Sequence, residues 1–215
     1  MANSERILLS SPHMSGNEQN YIQEAFDSNW IAPLGSNVTN FERELAQYTN
    51  NKGASLTSSG TAAIHLALAC LGVEKGDSVF CSSFTFIASA NPALYLSAEL
   101  TFIDSEPNSW NMSPQALERA LFDASLETRL PKAIIVVNLY GQSADMDALL
   151  AISNLFGVPI IEDAAESLGA EYKNKKSGTF GKIGIYSFNG NKIITTSGGG
   201  ALVSDDEELL DKAFF

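Results

Sequence analysis

The 215-residue chain is 45% hydrophobic and 18% charged, enough apolar material for one sizeable core. Its 25 acidic residues against 13 basic ones, with no Lys/Arg-rich run, argue against nucleic acid as a partner. No apolar run approaches the ~18 residues of a membrane span, "MANSERILLSSPHMSG" lacks the pattern of a signal peptide, and Cys70 and Cys81 lack metal-binding spacing, so a cytoplasmic protein without a structural metal is expected.

In chain order, "SGNEQNYIQEAFDS" opens with a capping-box signature, Ser15 with Glu18, and carries Tyr21, Ile22, Ala25 and Phe26 at helical spacing. "NWIAPLG" reads as an ordered loop, and "NVTNFERELAQYT" as a second helix with Val38, Phe41, Leu45 and Tyr48 on one face. From residue 53 short apolar runs read as buried strands: "ASLTS", "SVFCS", "ELTFID", "AIIVVNLYG", "VPIIED", "IGIYSF" and "GALVS". Helical patterns lie between most of them: "TAAIHLALACLG", "FIASANPALYL" (which Asn91-Pro92 can interrupt), "SPQALERALFD" and "ADMDALLAISNLFG". Strands that are apolar throughout and separated by helices predict an α/β fold, a largely parallel sheet covered on both faces. Lys173, Lys175 and Lys176 read as a solvated turn.

In such a sheet ligands gather beyond the carboxyl ends of the strands. There the sequence places Thr57-Ser58-Ser59-Gly60-Thr61, Ser82 to Phe86, Asp104, Asn138, Glu162-Asp163 and the run from Ser187 to Lys192. Small residues at the first turn of a helix leave free N–H groups, so Ser59 to Thr61 can hold a phosphate; taken alone the same residues make an ordinary Ser/Thr cap. Glu162-Asp163 can likewise cap the next helix, or supply the fixed anion that keeps a pyridine nitrogen protonated. With Lys192 as a Schiff-base amine, 29 residues beyond Asp163, this is the minimum equipment for pyridoxal phosphate. His65 and Phe188 read as packing residues, His13 as a loop residue, and the glycines 198–200 as a place of close backbone approach.

"SSGTAAIHLALACLGVEKGDSVFCSSFTFIASANP", "FIDSEPNSWNMSP", "NLYGQSADMDAL" and "IIEDAAESLGAEYKNKKSGTFGKIGIYSFNGNKIITTSGGGALVSDDEEL" together resemble the DegT/DnrJ/EryC1/StrS sugar aminotransferases, from roughly Leu9 onward. The resemblance implies the large domain of a fold-type-I pyridoxal phosphate enzyme. It implies that Lys192 carries the cofactor as a Schiff base and Asp163 faces the pyridine nitrogen. Phe86 would stack on the ring, Ser59, Gly60, Thr61 and Ser187 would hold the phosphate, and Glu166 would sit near the 3-hydroxyl. It further implies transamination from L-glutamate to a nucleotide-linked 4-keto-6-deoxy sugar, most similar to the UDP-N-acetylglucosamine-derived type, in a homodimer. Expected domains are an N-terminal helix and active-site loop over residues 1–30 and the cofactor-binding domain over 31–215. Relatives continue into a small domain, so the chain is expected to be incomplete at its C-terminus, where Phe214-Phe215 end a helix. Two alternatives are a fragment acting only as a binding or assembly module, and the related sugar dehydratases, which lack the lysine.

Overall fold

The computed structural model describes residues 11–214; Leu9 and Phe215, invoked above, lie outside them. Two helices, α1 (Glu18–Asp27) and α2 (Ser36–Thr49), precede β1 (Gly53–Thr57) and α3 (Gly60–Cys70). Then come β2 (Ser78–Ser82), a 3-10 turn (Ile87–Ser89), α4 (Asn91–Tyr95), β3 (Glu99–Ile103), α5 (Pro114–Leu126) and β4 (Ala133–Val137). A second 3-10 turn (Leu139–Gly141), α6 (Met146–Phe156), β5 (Ile160–Asp163), β6 (Glu171–Tyr172) and β7 (Lys175–Lys176) follow. The chain then forms β8 (Ile183–Ser187), β9 (Gly200–Ser204) and α7 (Glu207–Phe214).

All seven predicted strands form one sheet, ordered β1-β9-β8-β5-β4-β2-β3. Neighbours from β8 through β3 are parallel, whereas β9 is antiparallel to both β8 and β1. Strand β1 therefore runs with the other five, and only β9 is reversed. The strand period of two then sorts the core. Ile135, Ile161 and Ile185 meet Ala63, Ile64, Ala67 and Leu68 of α3 and Leu209 and Leu210 of α7. Ile134, Val136 and Ile160 meet Leu117 and Leu121 of α5 and Met146 and Leu149 of α6. Leu45 and Ala46 of α2 cover Tyr186, Ala201 and Val203. Both faces are covered, which is why these strands read as continuous apolar runs.

Three local readings are refined. The expected capping box is half formed: the Glu18 carboxylate accepts from the N–H groups of Ser15 at 2.6 Å and Gly16 at 2.8 Å, while Asn17 is the residue at the cap. Because the helix begins at Glu18, the Ser15 hydroxyl lies too far back to reach its first turn. Asn91-Pro92 does interrupt "FIASANPALYL": the 3-10 turn stops, and α4 starts with Pro92 in its first turn, where a missing N–H costs nothing. The lysine-rich turn is the tip of the hairpin β6–β7, with Lys173 and Asn174 both at positive φ as a primed turn requires. No helix among the described residues is long and apolar enough to cross a membrane.

Candidate active site

Strand β5 ends in two adjacent carboxylates, and its alternation sends them to opposite faces. Glu162 is completely buried and accepts four hydrogen bonds, from Asn138 Nδ2 at 2.9 Å and from the N–H groups of Gly178 (2.6 Å), Phe180 (2.8 Å) and Gly181 (3.2 Å). It organises the segment leading into β8 and does not share a polar ring with Asp163, so the pair read from the sequence is separated by the pleat.

Asp163 is 5% exposed and both its oxygens are held: Ser89 Oγ donates to Oδ2 at 2.6 Å and the Ala165 N–H to Oδ1 at 3.1 Å. Burial raises its pKa above the ordinary carboxylate range; the bonds from Ser89 and Ala165 and the positive charge of Lys192 oppose that rise, and Glu166 adds to it. Lys192 stands in the loop between β8 and β9, its Nζ 3.2 Å from Glu166 Oε1. Glu166 Oε2 accepts from the backbone N–H of Tyr140 at 3.1 Å. The Lys192 loop is pinned by backbone bonds at Phe188–Gly199 and Thr196–Phe188, and the His13 N–H donates to the Ile193 carbonyl at 2.8 Å.

A second group assembles at the ends of β1 and β8. Ser59 caps α3, its Oγ accepting from the Ala62 N–H at 3.0 Å, while the N–H groups of Gly60 and Thr61 find no acceptor among the described residues. Because β9 is reversed, its first residue Gly200 lies between these two strand ends, paired with Thr57 on one side and Ser187 on the other. A Cβ on Gly200 would overlap the Ser59 carbonyl carbon and the Gly60 nitrogen; one on Gly60 would lie 3.0 Å from Ser187 Cβ. Of the glycines 198–200, Gly200 makes the expected close backbone approach, whereas Gly199 faces the Thr196 side chain and Gly198 only the Ser58 carbonyl oxygen at 3.7 Å. Asp163 lies opposite Ile185, two residues before Ser187, so the two groups adjoin along β5 and β8.

Phe86 is 78% exposed and immediately precedes the 3-10 turn that ends in Ser89. The tertiary contacts thus join Asp163, Glu166 and Lys192, and separately Ser59, Gly60 and Ser187; Thr61 and Phe86 are placed by the elements that carry them. Ser89 was not singled out from the sequence, because a serine inside an apolar helical pattern carries no mark of its partner. His65 packs edge-on against Tyr95 at 5.7 Å, and Phe188 is a core residue stacked near Phe41 at 5.0 Å. Lys182 lies at the other end of β8, paired with Asp206 at 2.5 Å.

The DegT/DnrJ/EryC1/StrS aminotransferase family matches residues 12–215. EpsN of Bacillus subtilis (strain 168), whose name assigns it as a pyridoxal phosphate-dependent aminotransferase, is 64% identical over 98% of this chain and 54% of its own length. The GDP-perosamine synthase of Caulobacter vibrioides is 41% identical over 99% of this chain and 56% of its own. The crystal structure of a DegT DnrJ EryC1 StrS aminotransferase from Brucella abortus superposes with a TM-score of 0.87 at 36% identity, covering 91% of this chain and 53% of that one. The chain spans about half the length of the curated relatives it matches. With the predicted sheet formed and the match running over nearly its whole length, the chain belongs to the DegT/DnrJ/EryC1/StrS aminotransferase family and has the α/β architecture of fold-type-I pyridoxal phosphate enzymes.

Proposed function

We propose that the chain is the cofactor-binding part of a pyridoxal phosphate-dependent aminotransferase that moves an amino group from L-glutamate to a nucleotide-linked keto sugar. The observation that carries the reading is the lysine–carboxylate arrangement at the carboxyl ends of the strands: Lys192 paired with Glu166 beside a buried, doubly hydrogen-bonded Asp163. The residues fit the cofactor in donor chemistry. Two N–H groups at the start of a helix that find no acceptor among the described residues, with the Ser187 hydroxyl side chain next to Gly60, suit a phosphate dianion.

When bound, pyridoxal phosphate supplies an electrophilic aldehyde and an electron-accepting pyridinium ring. Lys192 Nζ would hold it covalently and, once freed, take the proton from the donor α-carbon as general base. Asp163 would keep the ring nitrogen protonated, Phe86 would cover one ring face, and Glu166 would meet the 3-hydroxyl. Ser59, Gly60, Thr61 and Ser187 would anchor the phosphate. For the acceptor we favour UDP-linked 4-keto-6-deoxy-N-acetylglucosamine; a relative named for GDP-perosamine synthesis supports the sugar-nucleotide class. A homodimer in the cytoplasm completes the proposal. We place the domain division after residue 30, because α1 buries no residue whereas α2 contributes Leu45 and Ala46 to the core.

Incubation with pyridoxal phosphate, borohydride reduction and peptide mass spectrometry test the assignment. The phosphopyridoxyl group is expected on Lys192 and is lost in Lys192→Ala. Finding it on Lys182 overturns the assignment.

A further inference from the structure

We infer that Ser89, itself oriented by Thr85, is a positioning residue that fixes the Asp163 carboxylate and ties it mechanically to the segment carrying Phe86. The inference rests on the cofactor reading for its functional meaning but on geometry for its substance. Ser89 is 2% exposed, and its Oγ lies 2.6 Å from Asp163 Oδ2, the separation of a charge-assisted hydroxyl–carboxylate bond. Thr85 Oγ1 lies 2.7 Å from the same Ser89 oxygen. A serine hydroxyl has one proton; with that proton on Asp163, Thr85 must donate to Ser89. The relay therefore has one direction, from Thr85 to Ser89 to Asp163.

Its two hydroxyls flank Phe86 in the chain. The turn Ile87–Ser89 is held by the Ser89 N–H donating to the Phe86 carbonyl at 3.0 Å. One five-residue stretch thus presents an exposed aromatic ring to a ligand and a buried hydroxyl to the carboxylate. Contact with the ring and orientation of the carboxylate are coupled through a single tight turn. Without the relay, Oδ2 would have no hydrogen bond from the described residues, in a site where the charged form already suffers from burial.

The titratable groups around Asp163 are Lys192, Glu166 and Cys81, and all are retained in the test variants. The Asp163 side-chain carboxyl is followed by carbon-13 NMR across pH in the cofactor-free chain, with Asp163→Asn identifying the signal. A lost hydrogen bond to a buried carboxylate corresponds to a rise of ~1–2 pH units in its midpoint, expected for Ser89→Ala. Thr85→Val, which keeps its volume, is expected to raise it in the same direction by less, and Ser89→Thr to restore much of the wild-type value. If Ser89→Ala does not fold, Thr85→Val decides alone. An unchanged midpoint in a folded Ser89→Ala or, failing that, in Thr85→Val overturns the inference. Absence of any borohydride-fixed adduct on wild-type Lys192 would instead sink the cofactor reading, and the NMR shift would still decide the relay.

Discussion

Gly200 holds the candidate phosphate cradle in register. It is paired in register between Thr57 and Ser187, and the Ser59–Gly60 backbone lies against its α-carbon. A methyl group there would stand 2.5 Å from the Ser59 carbonyl oxygen, and nearer to two further backbone atoms, where ordinary contacts are 3.4–4 Å. The obstructing atoms are main chain and cannot rotate aside. Gly200→Ala must therefore move the turn at 58–60 by roughly 1 Å or force β9 outward against a close-packed core. Overpacking of this kind costs about 1–3 kcal/mol, and misplacing binding groups by about 1 Å is worth on the order of 100-fold. Thermal unfolding of the cofactor-free chain should show Tm lowered by roughly 2–10 °C. An absorbance titration with pyridoxal phosphate should show Kd weakened ~10–100-fold. Gly198→Ala is the internal control, since its methyl would meet only the Ser58 carbonyl oxygen at 3.7 Å and should leave both readouts near wild type. Wild-type Tm and affinity in Gly200→Ala, or equal damage in Gly198→Ala, would refute the reasoning.

Burial makes folded Asp163 hold its proton more tightly than the unfolded chain does, so stability falls as pH rises from the ordinary value of 3.8 through the raised folded value. Asp163→Asn should remove that slope and melt higher than wild type at pH 7 without cofactor, the gap closing toward pH 4; a lower melting temperature at pH 7 would contradict it. Glu162→Gln should destabilise by about 2–5 kcal/mol in urea unfolding, because the new amide turns its own N–H groups toward buried donors that the carboxylate satisfied. An effect below ~1 kcal/mol would mean the network rearranges freely. Tyr21, Ile22, Phe26, Trp30 and Leu34 are all exposed. At ~25 cal/mol per Å² a few hundred Å² of such surface is enough to drive self-association. Light scattering should therefore show mass rising with concentration, less so in Phe26→Glu; a monomer throughout would end that expectation.

The strands and most helices were legible in the sequence because each is set by its own residues: apolar runs long enough for a strand, and apolar spacing long enough for a helix. Lys192, Asp163 and the Ser59–Thr61 turn were legible for a related reason, since each ends a strand, follows one in the next loop or starts a helix at the face where a parallel sheet gathers its ligands. What neighbours what was not. The reversal of β9, which puts Gly200 between Thr57 and Ser187, depends on sheet order, and an apolar run such as "GALVS" has the same pattern in either direction. Glu162 and Asp163 were adjacent letters until the pleat sent one into a buried network beneath Gly178 and the other toward Lys192. Ser89 acquires its role from a carboxylate 74 positions away. Periodicity reports which side of an element faces inward; only the packed sheet decides which hydroxyl, carboxylate and amine meet there.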